Sequence, residues 1–313
     1  MAFTMHSHSG QFCPGHAVDA LETIIQHAIQ LGYRTMGLTE HMPRLSVADL
    51  YPEELVPSPE ESLSALSPRH AAFLSHAVHL QAKYASQIHI LVGFESEWLR
   101  PDEYTPLIQS LASDPRVDYF MGSLHHVAGI PIDYDKAMYA SAVAACGGTE
   151  RGLWARYYDE QFDMLRALEP KVVGHFDLIR LLSENPARDV KAEWPDVWEK
   201  MVRNLREVKR VGGWLECNTS ALRKGLAEPY PARGVAVEWV AMGGRFTFSD
   251  DSHGVKQVAT CYERGLDYLE GLGVREVWTW ERLPRGEGEK AELRERGVSL
   301  EEFRGSLKLE GKA

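Results

Sequence analysis

The chain has 313 residues, 44% of them hydrophobic and 25% charged, and a formal net charge of −11. That composition suits one large core, and its acidic balance argues against an extended basic groove for nucleic acid while leaving room for a small anionic substrate held by metal ions. No apolar run approaches the roughly 18 residues that a membrane span needs, and the N-terminus shows no signal-peptide pattern, so a cytoplasmic protein without a membrane partner is expected.

Ala2 to Met5 reads as a short first strand. Asp19 to Leu31 follows with Leu21, Ile24, Ile25, Ala28 and Ile29 at helical spacing, and Gly32 ends that helix. Arg34 to Thr39 is the second strand. Arg44 to Pro68, rich in Pro, Ser and Glu, is expected to be a loop over the barrel mouth, spanning 43–69, with at most one helical turn. Arg69 to Ala85 is helical by pattern. Ile88 to Phe94 is a dense apolar strand suited to burial in a parallel sheet. A helix at Thr105 to Ala112 leads to the fourth strand, Tyr119 to Ser123. Gly129 to Glu150 reads as an insertion over the mouth, punctuated by Gly147-Gly148.

Leu153 to Leu168 is helical, Lys171 to Gly174 the fifth strand and Asp196 to Val211 a strongly amphipathic helix. Gly213 to Glu216 and Arg245 to Ser249 supply strands six and seven. Strands alternating with helices imply a parallel sheet with helices outside, here an α/β barrel over residues 1–281. Residues 282–313, charged and Gly-rich around Gly286-Glu287-Gly288-Glu289-Lys290, are expected to be a surface appendage.

Each of the seven strands ends in residues that can bind a metal or an anion. His6-Ser7-His8 follows the first and Asp251-Ser252-His253 the last; between them come Glu40-His41, Glu95, His125-His126, His175 and Glu216-Cys217-Asn218. Side chains at i and i+2 on a strand share a face, so His6/His8 and Asp251/His253 can each send two ligands to one centre. The C-terminal ends of barrel strands form the active face. Imidazoles and carboxylates suit Zn, Mn or Fe, and such ions activate water near neutral pH. A polynuclear centre for hydrolysis is the expectation.

Only one of His125 and His126 should reach that centre, because successive strand residues face opposite ways. His27, His70, His76 and His79 lie in helical segments and His89 begins a strand, so these are read as structural or exposed. Cys13, Cys146, Cys217 and Cys261 show no CxxC spacing and are read as reduced thiols, Cys217 as a small buried side chain.

These stretches resemble the polymerase-and-histidinol-phosphatase (PHP) superfamily, and within it the phosphatase branch. The resemblance rests on His6-Ser7-His8-Ser9, Gly37-Leu38-Thr39-Glu40-His41, Gly93-Phe94-Glu95, Gly122-Ser123-Leu124-His125-His126, Gly174-His175-Phe176-Asp177-Leu178, Glu216-Cys217-Asn218-Thr219-Ser220 and Ser249-Asp250-Asp251-Ser252-His253. It implies a distorted (β/α)7 barrel and a metal-dependent phosphomonoesterase acting on L-histidinol phosphate in histidine biosynthesis. The alternative is another PHP phosphoesterase, acting on a different small phosphate ester or a nucleotide. A non-enzymatic metal-binding regulator is disfavoured by the near-complete ligand set.

Carried over by position, the resemblance implies two or three divalent ions. His6, His8, Glu95 and Asp251 would hold one. Glu95 would bridge to a second, completed by His125 and His175. His16, His41 and His253 would hold the third. Glu95, Asp251 and His253 are the implied catalytic residues, and Arg223 and Arg180 the implied phosphate contacts, since a planar guanidinium can hold two phosphate oxygens. Asp49, Glu53, Glu54, Glu60 and Glu61, in the loop over the mouth, are candidates for the ammonium and imidazole of the substrate. Oligomeric state is invisible at this level.

Overall fold

The computed structural model describes residues 1–56, 58–284, 286 and 288–308. Seven parallel strands lie in simple chain order: β1 (Ala2–Thr4), β2 (Tyr33–Leu38), β3 (His89–Glu95), β4 (Tyr119–Gly122), β5 (Val172–Val173), β6 (Trp214–Asn218) and β7 (Arg245–Ser249). β7 returns to β1 through the Met5 N–H, which donates to Phe248 O at 3.2 Å, and the His8 N–H, which donates to Ser252 O at 2.8 Å. The sheet thus curls into the expected (β/α)7 barrel. The barrel is irregular, its strands running from two residues in β5 to seven in β3.

Residues of β3 such as Ile90, Leu91, Val92 and Phe94 are buried, as a strand covered on both faces requires. Tyr119 crosses the barrel interior, its hydroxyl donating to Met5 O at 2.6 Å. Gly37 makes room for it, since a Cβ there would stand 2.0 Å from that hydroxyl. Outside, helix Pro195–Arg210 buries Val197, Met201, Leu205 and Val208. Asn204 ties it to helix Glu150–Leu168, its amide donating to Tyr158 O at 2.7 Å.

Three expectations change. The stretch from Arg44 to Pro68 is not mainly loop. It holds 3-10 turns at Val47–Asp49 and Pro52–Leu55, and helix Pro59–Lys83 begins well before Arg69. Ser58 caps that helix, its hydroxyl accepting from Glu61 N–H at 3.4 Å, with Pro59 in the first turn. Pro57, within the expected loop, lies outside the described residues.

The insertion of 129–150 is also ordered. A short hairpin, His126–Val127 with Ile130–Pro131, precedes helix Lys136–Ala145, whose first turn is capped by Asp135. The Thr149 cap starts the next helix at Glu150 rather than Leu153.

The segment from 282 onward is no loose appendage. Residue 282 falls within β8 (Glu276–Leu283), which pairs antiparallel with β9 (Glu292–Ser299), and helix Leu300–Ser306 follows. Phe303 is fully buried, with its ring centroid 5.1 Å from Phe3 and 5.2 Å from Phe248. Trp280 packs on Trp214 at 4.6 Å and Tyr119 at 5.1 Å. This segment closes the end of the barrel where the strands begin. Its charges mark one wet face of a hairpin, not a detached tail. Arg285, Glu287 and 309–313, part of the expected appendage, lie outside the described residues.

Candidate metal centre

Every strand-end ligand named above lies at the C-terminal mouth, because parallel strands in one barrel share one exit face. Glu95 sits at the middle. Its Oε1 is 2.8 Å from His175 Nε2 and 3.1 Å from His125 Nε2. Its Oε2 is 3.2 Å from His6 Nε2, 3.5 Å from His8 Nε2 and 3.3 Å from His41 Nδ1. The two oxygens of one carboxylate therefore face different histidine groups. Asp251 Oδ1 completes the His6/His8 side, 3.5 Å and 3.4 Å from their Nε2 atoms. His253 Nδ1 is 3.6 Å from the same oxygen.

Among the described residues, three groups bring ligand atoms within 4.8 Å of one another: His6/His8/Asp251, Glu95/His125/His175 and His8/His41/His253. His6 Nε2, both ring nitrogens of His8 and His41, and His253 Nε2 are buried without a hydrogen-bond partner. So many orphaned polar atoms converging on carboxylates are costly unless cations lie among them. The residues present fit metal ions.

His16 stands at the rim. Its ring centroid is 4.6 Å from His253 and 5.2 Å from His41, but its side chain is 37% exposed and it joins none of the three groups. His8 takes the inner place in the His41/His253 group. His126 stands outside the three groups, its Nδ1 3.5 Å from Glu97 Oε2. The fourth strand ends at Gly122 and His126 opens the hairpin, so the two histidines differ in place without sharing a strand. His89 is structural, accepting from the Arg282 N–H at 2.6 Å. Cys217 is buried and outside the groups.

Two carboxylates outside the implied ligand set support the clustered histidines. Glu216 Oε1 lies 2.8 Å from His6 Nδ1, and its Oε2 accepts from the His175 N–H at 2.8 Å. Glu97 Oε2 lies 3.0 Å from His125 Nδ1, and its Oε1 accepts from the Tyr51 hydroxyl at 3.2 Å. Such partners fix imidazole orientation and raise ligand basicity. The signal for Glu97 was the Glu95-Ser96-Glu97 spacing, two carboxylates two residues apart at a strand end.

Electrostatics follow from this packing. Burial pushes the His6 imidazole down, but Asp251, Glu95 and Glu216 outweigh it and hold the group well above its ordinary value. His125 is likewise raised against its burial by Glu97 and Glu95. Burial, reinforced by His8, keeps His41 and His253 well below it. Burial would raise Glu95 and Asp251, but the surrounding histidines hold both well below the usual carboxylate range. Backbone geometry marks the same residues: His175 and Asp251 have φ of 22° and 49°, left-handed values that non-glycine residues rarely adopt.

The arginines are placed differently from one another. Arg223 donates from Nη1 to Asp250 O at 2.8 Å and from Nη2 to Asp251 O at 3.0 Å, bracing the turn that presents Asp251. Arg180 is 4% exposed, with Nε 3.0 Å from Asp177 Oδ2, Nη2 donating to Glu228 O at 2.9 Å, and its guanidinium 4.9 Å from the Tyr230 ring centre. The acidic residues of 43–69 are largely committed within the protein. Asp49 binds Arg100 and Tyr104, Glu53 binds His16, and Glu54 pairs with Arg44.

An α/β barrel with histidines and carboxylates clustered at its mouth is the architecture of a metal-dependent hydrolase. Residues 4–220 match the PHP domain, and the chain belongs to the PHP family. It is 40% identical over 92% of its length to the probable histidinol-phosphatase of Schizosaccharomyces pombe, covering 92% of that protein. It is 34% identical over 84% of its length to the histidinol-phosphatase of Saccharomyces cerevisiae, covering 87% of that one. Among solved structures it is similar to hisK from Listeria monocytogenes, with TM-score 0.72 and 25% identity over 84% of this chain and 99% of that one. The fold is shared with histidinol phosphate phosphatase from Lactococcus lactis, solved with zinc, L-histidinol and phosphate, at TM-score 0.65 and 17% identity over 93% and 98% of the two chains. No helix among the described residues is long and apolar enough to cross a membrane.

Proposed function

We propose that this chain is a metal-dependent phosphomonoesterase that hydrolyses L-histidinol phosphate to L-histidinol and phosphate, a step of histidine biosynthesis. The observation that carries the reading is the two-faced Glu95 carboxylate between separate histidine groups. The yeast relatives, similar over most of both chains, support the substrate.

In this reading His6, His8, Glu95 and Asp251 hold one ion, Glu95, His125 and His175 a second, and His16, His41 and His253 a third, each Zn, Mn or Fe by donor chemistry. When bound, such ions polarise the phosphoryl group and supply an activated water. The chain's own residues do the rest. Glu95, Asp251 and His253 join neighbouring groups and fix their spacing. Asp250 and Asp251 are held by Arg223, which uses two of its five N–H donors on carbonyls and retains others for phosphate oxygens. Arg180 is the second proposed phosphate contact. The apolar barrel beneath excludes water from the lower face of the centre.

The test is phosphate release by metal-reconstituted protein, comparing L-histidinol phosphate with sugar phosphates, nucleotides and single-stranded DNA. A strong preference for histidinol phosphate is expected. Faster release from another ester would transfer the chain to a different phosphoesterase activity of the family. The double variant His6→Ala/His8→Ala should lose at least one ion and most activity. Unchanged metal content with full activity would defeat the ligand assignment.

A further inference from the structure

Residues 44–55 form a strap across the mouth of the barrel. Arg44 pairs with Glu54, and the Arg44 Nη1 group donates to Met42 O at 3.2 Å. Asp49, 3% exposed, is gripped by Arg100, whose Nη2 is 2.7 Å from Oδ2, and by the Tyr104 hydroxyl at 2.9 Å. The Tyr51 N–H donates to Glu54 Oε2 at 3.0 Å and closes the turn between them. The strap is therefore tied down at several points, not draped.

From this fixed segment two contacts reach the metal centre, one at His16 and one through Glu97, which also lies 3.6 Å from His41 Nδ1. Glu53 Oε1 lies 2.9 Å from His16 Nδ1, and its Oε2 is buried with no hydrogen-bond partner. Tyr51 gives its hydroxyl to Glu97 Oε1 at 3.2 Å, and Glu97 Oε2 is 3.0 Å from His125 Nδ1. The Tyr51 ring lies between these arms, its centroid 6.2 Å from His16 and 5.2 Å from His126. In both arms a carboxylate takes Nδ1 of an imidazole, which leaves Nε2 as the atom that could bind an ion. His125 Nε2 does point inward, 3.1 Å from Glu95 Oε1. His16 is the most exposed of the proposed ligands and has the least packing to hold it. Glu53 is the carboxylate that holds its ring.

We infer that Glu53 and Glu97 are positioning residues for His16 and His125, and that the 44–55 strap couples the two outer ion sites of the centre. The inference rests on the proposed assignment of three ions, and its test separates the two. Replacing the carboxylate that orients a histidine ligand weakens metal binding by about 10–100-fold. Metal content and chelator competition are measured on the whole protein for the wild type, Glu53→Ala, His16→Ala and their double variant, and for Glu97→Gln and Tyr51→Phe. Thermal unfolding of the chelator-stripped proteins serves as the folding control.

Glu53→Ala should weaken only one ion, by about 10–100-fold. The double variant should bind no worse than His16→Ala alone, because Glu53 acts through His16. Glu97→Gln should weaken a different ion, and Tyr51→Phe should do so to a smaller extent. Glu53→Ala retaining wild-type affinity for every ion overturns the inference, as do losses that add in the double variant. A wild type that never takes a third ion overturns instead the three-ion assignment, and the Glu97→Gln arm then decides the positioning role at His125.

Discussion

At the scale of single residues, the centre shows why the clustered histidines and carboxylates were easier to read than the groups that support them. His6, His8, Asp251 and His253 announce themselves by spacing at strand ends, and the structure brings all four together. Glu97 shares the i, i+2 spacing with Glu95 but its partner His125 lies far away in sequence, and Glu53 carries no such pattern at all. Arg223 is an intermediate case. The family resemblance implied a phosphate contact there, and the structure shows it bracing the Asp250–Asp251 carbonyls. Arg223→Ala is expected to lower kcat/KM about 30-fold, on the order of 2 kcal/mol, with partial rescue by Arg223→Lys. Metal content should be retained, because the turn keeps the Ala259 N–H bond to Asp250 Oδ2 at 2.6 Å. If ions and activity disappear together, Arg223 works by holding the turn and not by touching phosphate. His125→Ala should cost far more activity than His126→Ala, since His125 faces Glu95 and His126 stands beside Glu97. Equal losses in a steady-state assay would contradict that division.

At the scale of elements, the strands were legible because each parallel strand is a short apolar run ending in a polar ligand. Helix Pro59–Lys83 begins earlier than its pattern suggests because Pro68, ordinarily a helix breaker, lies inside it, while the Ser58-Pro59-Glu60-Glu61 start signal sets the true first turn. That helix also carries His70, 7% exposed, with neither ring nitrogen hydrogen-bonded and Phe94 6.0 Å away, centroid to centroid. Burial pushes its imidazole down to about 4, against a weaker opposing pull from Asp114. An unfolded chain would protonate this histidine near its ordinary value, about 6.5. As pH falls the unfolded state therefore takes the proton first. Stability contributed above pH 6.5 is lost between there and about 4, on the order of 3 kcal/mol in all and about 2 kcal/mol by pH 5. His70→Leu should flatten this part of the acid limb in urea titrations at pH 7 and pH 5. The same pH dependence in variant and wild type would show that His70 is hydrated or paired in solution.

At the scale of the whole molecule, strand order, barrel class and the face bearing the site were all readable, because each follows from repeated local signals. The closure of the opposite end was not. Glu292–Ser299 has four charged residues and only Leu293 and Val298 as sizeable apolar ones, and so charged a run resembles a solvated tail. Only pairing with Glu276–Leu283, whose Val277 and Trp280 are buried, gives the segment its structure. Helix Leu300–Ser306 then sets Phe303 among Phe3, Phe248 and Tyr262, beneath the first and last strands of the barrel. The segment thus helps to hold β1 beside β7, the junction that carries His6 and His8 at one edge and Asp251 and His253 at the other. Phe303→Ala leaves a cavity in that packing and should cost about 3–4 kcal/mol of unfolding free energy. The mouth is at the other end of the strands, so metal content and KM should stay near wild type at a temperature where the variant is folded. Denaturant unfolding with parallel metal analysis checks both halves. An unchanged midpoint would mean that the helix does not seal the barrel in solution. Loss of ions from a fully folded variant would mean that closure of the β1–β7 junction, and not the strand-end ligands alone, holds the metal centre together.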